Sequence, residues 1–510
     1  PARGQRVGFA RETSHCLALT GRLPSPAAAV ISWPVHSPLL SSGEAMQTSG
    51  LSSDRISSVL RLTAVFAAAV IVSCQTASAQ FSINAAGVVI DPAGVLRVQS
   101  AADPGLTRER LQAAVDALPG DLQKAVPLRK VALSRLEAEL AKRLADGRGV
   151  PDDIQKLAGL TRVQYVFVYP AEGDTPGEVV LAGPAEPWFT DAAGRVRGVE
   201  TGLPTVLLED LATAIRCFAP GEPRDRLVGC SIDPKQEGLA AMQAFLRKTG
   251  RVNPTASVEE IVTGMKEALG TQVVSIQGVS PKTHFAQVMV EADYRMKLIG
   301  IGLESPPVRM KSWIDLASAG SVAANALQRW YFVPDYQCVR IAEDDLAIEL
   351  VGDAVKLCGA DEVVQADGTR LSADRADRAS RAFTETFTRQ YPRIAAANPV
   401  YAQLRTLVDL VVAAAYMQEH DAYGQAGWEA TTLCDEAAYP VETLPAPQEV
   451  ETAIKAVWKK NRLLTPIGGG VTMHPRLAID PPNLLMDEKG DVSAARATAK
   501  DLPATGWYWD

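Results

Sequence analysis

Histidine is scarce in this chain. There are five in 510 residues, and only His284, His420 and His474 lie beyond residue 80. No two have His-x-x-x-His spacing, so the sequence predicts no histidine-rich metal site. No cysteine pair has Cys-x-x-Cys spacing, which argues against a zinc ribbon or a thioredoxin-like redox centre. There is no Gly-x-Ser-x-Gly elbow for a serine nucleophile, and no Ser-x-x-Lys with a suitable partner set. Gly300-Ile301-Gly302 lacks the third glycine of a dinucleotide loop, and Gly468-Gly469-Gly470 has no lysine after it to reach a phosphate. Glu343-Asp344-Asp345 lacks the alternating oxygen ladder of a calcium loop and reads as a turn. No cofactor, metal or catalytic residue is expected.

Positive charge is also in deficit. The chain has 51 basic and 59 acidic residues. Six arginines and three acidic residues precede Gln80, so residues 80–510 carry 45 against 56, a net charge of −11. Nucleic acid is not an expected partner, because binding its phosphates requires a basic face.

What is present first is an export signal. Met46 opens a segment with Arg55 and Arg61, then an apolar run at 62–72, then Ala77-Ser78-Ala79. A basic start, a short apolar middle and a small-x-small site are the order of a secretory signal peptide. The run is shorter than the roughly 20 residues that span a bilayer. The expectation is a signal at 46–79, a mature start at Gln80, and a periplasmic or extracellular protein. A rival reading takes Ile71-Val72-Ser73-Cys74 as a lipobox, with a lipid anchor at Cys74. Residues 1–45, rich in Ser, Pro, Ala and Arg, read as an extension upstream of the natural start. No later segment reads as a membrane span.

Five cysteines follow the signal: Cys217, Cys230, Cys338, Cys358 and Cys434. An odd number leaves at least one unpaired. The short connection from Cys217, closing a predicted helix, to Cys230, in the next strand, makes this pair the candidate disulfide in an oxidising compartment.

The periodicity predicts an α+β fold, a mixed sheet with several flanking helices and a C-terminal helical hairpin. Strands flank the turn Asp91-Pro92-Ala93-Gly94. Helical spacing of Leu128, Val131, Leu136, Leu140 and Leu144 predicts a helix over 128–145. The run at 165–169 reads as a central strand paired antiparallel with 178–181. Helices at 206–217, 235–248 and 257–269 alternate with strands at 226–232, 271–277 and 285–291. Strands return from Trp330 to Leu357. Two long helices follow at 375–397, with Phe383, Phe387 and Tyr391 four apart, and at 400–420. Three regions result: 80–280, 281–435, and a Pro-rich irregular tail at 436–510 with one short helix near 450–460.

His284 reads as a structural histidine at a strand end with a backbone partner, and His420 as the end of a helix. The densest polar cluster runs from Glu291 through Asp293, Tyr294, Arg295 and Lys297 to Glu304. As a helix it puts Ala292, Met296, Ile299 and Leu303 on one stripe and pairs Asp293 with Lys297. Asp293, Tyr294, Arg295 and Lys297 together with Trp330 are the candidate partner-binding residues, because Arg, Tyr and Trp dominate binding hot spots. The opposing reading puts Trp330 in the core and pairs the charges within the fold.

Several segments together resemble a known family. They are residues 165–170 followed by Leu181-Ala182-Gly183-Pro184-Ala185-Glu186-Pro187-Trp188, and Cys230-Ser231-Ile232-Asp233-Pro234 with Glu237-Gly238-Leu239. Ala292-Asp293-Tyr294-Arg295-Met296-Lys297, Arg329-Trp330-Tyr331-Phe332-Val333-Pro334 and Val400-Tyr401-Ala402-Gln403-Leu404-Arg405 complete the set. They resemble an exported family of planctomycete bacteria defined by a domain of unknown function, over about 128–428. Pro187 stands where a glycine is expected before the tryptophan. The resemblance implies no activity, cofactor or catalytic residue.

The sequence therefore points to an exported, non-catalytic protein that binds an unknown protein or glycan of the cell envelope, or helps to build it. The alternative is an envelope peptide or glycan hydrolase using two carboxylates drawn from Asp233, Glu237, Asp293 and Glu304.

Overall fold

A computed structural model describes residues 87–98, 107–249, 258–318, 326–360, 362–364, 370–372, 377–455, 457–459, 462–464, 470–500 and 505–510. The expected signal at 46–79 with its expected cleavage site, Cys74, and residues 1–45 lie outside these residues. The fold is α+β. Its larger sheet has eight strands in the order Val88–Ile90, Val95–Val98, Glu449–Val450, Gln272–Gln277, Val228–Pro234, Gly470–Met473, Trp330–Pro334, Val355–Gly359. Neighbours are antiparallel except at Val95–Val98 with Glu449–Val450 and at Gly470–Met473 with Trp330–Pro334. The first hairpin forms as expected, with Val88 opposite Val98 and the Asp91 carboxylate accepting from the Ala93 and Val95 amides at 2.9 and 3.0 Å.

A second sheet orders Leu485–Met486, Val339–Ile341, Ala347–Leu350, Tyr165–Tyr169, Glu178–Ala185, Val126–Ala132 and Tyr508–Trp509. Tyr165–Tyr169 is interior and pairs antiparallel with Glu178–Ala185. The helix expected over 128–145 is divided. Val126–Ala132 is a strand, and the helix runs from Leu133 to Ala145. Leucines at helical spacing continued the pattern past the true start, while pairing with Glu178–Ala185 claimed the first residues for the sheet.

Among the described residues, the tail after 436 supplies strands to both sheets. Glu449–Val450 and Gly470–Met473 are inserted into the larger sheet, and Tyr508–Trp509 adds to the smaller one. Near 450–460 there is a hairpin of Val457–Lys459 with Arg462–Leu464, not a helix. Strands from the 80–280, 281–435 and 436–510 stretches thus interleave in one sheet, and Phe81–Asp510 forms one compact unit. Two-residue strands are too short to show a period in the sequence.

The largest departure is at residues 284–301. The expected strand over 285–291 is instead the first half of a helix, His284–Ile301, capped by Thr283 and ended by Gly302 at φ +74°. Fifteen of its 18 residues are buried. A helix buried on every side has no apolar stripe, so its valines and alanines imitate the alternation of a strand.

The long helix Pro399–Glu419 begins at the Asn398 cap, which also closes Arg378–Ala397. By length and composition it could cross a bilayer, which the sequence reading missed, but 94% of its apolar window is buried inside the fold. Phe387 and Tyr391 pack against its Tyr401 at 5.5 and 6.3 Å between ring centroids, while Phe383 packs against Trp330. Phe332 of the larger sheet lies 5.7 Å from Phe387 and 6.0 Å from Tyr401 between ring centroids. Thr388 closes the outer edge of the larger sheet, its hydroxyl accepting from the Leu357 amide at 2.9 Å. Apart from the main core, Gln236–Thr249 and Val258–Leu269 share a small one built from Leu239, Met242, Ile261, Met265, Leu269 and Ile454.

Candidate functional site

The polar residues of the central His284–Ile301 helix form the densest buried charge cluster described. Glu291 has no exposed surface. Arg195, in the turn between the strands Trp188–Thr190 and Val196–Gly198, donates through Nη2 to both Glu291 oxygens at 2.7 and 2.8 Å. Arg295, one turn along the helix, donates to Glu291 Oε1 at 2.8 Å and to both Glu304 oxygens at 3.1 and 3.2 Å. Burial pushes the Glu304 carboxyl up, and Arg295 draws it back. A charge this deep persists only when neighbouring groups replace its hydration, and the two guanidiniums do so here.

At the other end, Arg195 Nη1 donates to Gln403 Oε1, and Gln403 Nε2 lies 3.4 Å from His284 Nε2. His284 Nδ1 sits 2.9 and 3.0 Å from the two Asp210 oxygens. Burial drives the imidazolium out, but the Asp210 carboxylate outweighs burial and, with Glu209, carries His284 up to about 9. Residues distant in the chain thus make one line, Glu304–Arg295–Glu291–Arg195–Gln403–His284–Asp210. The strand end and backbone partner expected for His284 are not found: it opens a helix, and its partners are the side chains of Asp210 and Gln403.

Asp293 and Lys297 occupy another face of the helix. They pair at 3.0 Å as their spacing predicts, and Lys297 Nζ donates to the Ile232 carbonyl at 3.2 Å. Burial pushes the Asp293 carboxyl up to about 6 against the pull of Lys297, with the Asp233 carboxylate adding to the rise. Glu237 is exposed and Asp233 partly so.

The five candidate partner-binding residues do not share one exposed face. Asp293 has no exposed surface, and Lys297 is buried. Trp330 is 1% exposed, donates to Ser380 Oγ at 3.2 Å, and packs between Trp313 and Phe383. Its ring lies so close to the central helix that a Cβ on Gly300 would come within 2.3 Å of it, which is why residue 300 has no side chain. Tyr294 and Arg295 are partly exposed, and the Tyr294 hydroxyl donates to the Glu451 carbonyl at 3.1 Å.

The candidate disulfide is not formed. Cys217 and Cys230 are both free. The Cys217 thiol donates to the Gly278 carbonyl at 3.2 Å, whereas Cys230 lies mid-strand, opposite Ile276 and Val471, in the field of Asp293 and Lys297. The two thiols meet different surroundings. Burial holds Cys217 up at about 11 and Cys230 well above its usual value, so both stay protonated. Among the described residues, no cluster of three His, Cys, Asp or Glu side chains has metal-holding geometry.

Sequence reasoning missed Arg195, Asp210 and Gln403. The Glu291/Arg295 spacing was the available signal, since a charge amid an apolar run must find a buried counter-charge. Residues 230–313, which contain the central helix, match a family described as "Protein of unknown function (DUF1598)". No curated protein and no solved structure matches the chain. The chain thus carries a domain of unknown function, and no activity is assigned by similarity.

Proposed function

We propose that this is an exported protein of the cell envelope that works without catalysis, by binding a protein or glycan partner or as a structural component. The signal-like segment at 46–79 supports export, and the resemblance to exported planctomycete proteins agrees with it. The observation that carries the non-catalytic reading is the pairing of the central helix: Glu291 and Glu304 with arginines, Asp293 with Lys297. A hydrolase that uses paired carboxylates needs them to face substrate, and these face their own counter-ions. One observation favours the hydrolase: Asp293, raised to about 6, has the character of a general acid. The test is to incubate residues 80–510 with purified envelope glycan and peptide. Co-sedimentation without release of soluble fragments is expected. Fragment release that Asp293→Asn abolishes would establish the hydrolase. Full recovery of the native protein in the cytoplasmic fraction would remove export.

A further inference from the structure

Gln403 stands between two donors. On one side the Arg195 guanidinium, which has donors and no acceptor, fixes Gln403 Oε1 as its acceptor. The amide nitrogen is thereby turned to His284 Nε2, 3.4 Å away. That arrangement suits a neutral imidazole, which accepts at Nε2 while Nδ1–H donates to Asp210. A proton arriving from solvent at Nε2 puts N–H against N–H. The relief is to turn the amide, so that Oε1 accepts from His284 and the NH2 group then confronts Arg195 Nη1. One side-chain amide cannot serve both donors.

We propose that Gln403 is a two-position coupler: its amide reads the proton on His284 Nε2 and passes that state to Arg195, and through it to the hairpin of Trp188–Thr190 and Val196–Gly198.

The surrounding charges make both positions accessible. On the Leu208–Cys217 helix, Asp210 binds His284 Nδ1 and Glu209 adds its field, so the imidazolium is favoured electrostatically while the amide opposes it. Tyr439 lies in the field of Glu209 and Asp210, and Lys156 in that of Glu209. The Pro399–Glu419 helix contributes Gln403, and the central helix contributes Glu291, which keeps hold of Arg195 Nη2 in either state. The strands Val228–Pro234, Gly470–Met473 and Trp330–Pro334, which also pack on the central helix, bring one charged side chain, Asp233, and it acts on Asp293. The neighbouring Trp313–Leu316 helix brings Asp315, whose carboxylate accepts from the amide and hydroxyl of the Ser312 cap. Arg195 is tied to its own turn through its amide, which donates to Asp191 Oδ1 at 3.0 Å, so loss of the Gln403 bond is felt by that turn.

The test follows the imidazole, the Gln403 side-chain amide and the Arg195 Nε and backbone resonances of 15N-labelled residues 80–510 across pH. The Gln403 and Arg195 signals are expected to move with the His284 midpoint. A Gln403→Glu carboxylate can accept from both donors at once, so it is expected to raise that midpoint by about one pH unit or more, tenfold in proton affinity. In Gln403→Leu the Arg195 signals are expected to stop following His284. The proposal is overturned if Arg195 stays still while wild-type His284 titrates, or if Gln403→Glu leaves the midpoint unchanged. A His284 that keeps one protonation state from about pH 5 to about pH 10 overturns it as well. The wild-type titration decides alone should the variants not fold.

Discussion

Arg129, a guanidinium with no exposed surface, is held by the carboxylate of Asp510: Nε donates to Oδ1 at 2.7 Å and Nη2 to Oδ2 at 3.0 Å. Its other acceptors are the Ala158 and Asp121 carbonyls. The aromatic tail therefore docks on its own domain, with Trp509 opposite Lys130 in the smaller sheet. Asp510→Ala leaves a buried cation with neutral partners only. A loss of about 1–3 kcal/mol is expected, below the figure for a fully buried pair because Asp510 is half exposed. Urea denaturation of the variant measures it, and an unchanged midpoint would show that the tail contributes nothing to stability.

Trp330 and Gly300 should be matched in their sensitivity. Trp330→Ala empties a core position and is expected to cost about 3–5 kcal/mol. Gly300→Ala drives a methyl into the Trp330 ring and is expected to cost about 1–3 kcal/mol. The double variant should cost less than the two combined, since the smaller side chain makes room for the methyl. Additive losses would mean that the ring does not rest on the helix.

Alkaline pH should weaken the fold through His284. Its folded value is about 9 and its ordinary value 6.5, so the folded state binds the proton more tightly. The stabilisation is then fully present below 6.5 and is lost as pH rises to about 9. Thermal unfolding across this window should show a fall that His284→Gln removes. A flat wild-type profile would contradict the Asp210–His284 pairing.

Thiol titration tests the cysteines. Unfolded residues 80–510 should react with five equivalents of a disulfide reagent, because Cys217, Cys230, Cys338, Cys358 and Cys434 all carry thiols rather than disulfides. In the native state the partly exposed Cys358 and Cys434 should react first, ahead of the buried Cys217, Cys230 and Cys338. Three equivalents from unfolded, unreduced protein would reveal a disulfide.

Much of the fold was legible. The hairpin around Asp91-Pro92-Ala93-Gly94 rests on turn chemistry that acts within four residues. The helices Leu208–Cys217, Arg378–Ala397 and Pro399–Glu419 declared themselves by period. The Asp293–Lys297 pair follows from spacing alone, because residues four apart share a helix face. The site as a whole was not legible, since Arg195, Asp210, His284 and Gln403 come from four separate elements.

The sequence by itself determined the α+β class, the local turns and caps, the acidic balance and the i,i+4 ion pairs, all set by interactions within a few residues. Only the tertiary structure decided that 284–301 is a helix, that Glu449–Val450 enters the larger sheet, that Trp330 is interior, and that Arg195 meets Glu291. Those outcomes depend on what surrounds each residue. A segment buried on every side loses its period, a two-residue strand exists only through its neighbours, and a buried charge selects its partner by proximity in space rather than along the chain.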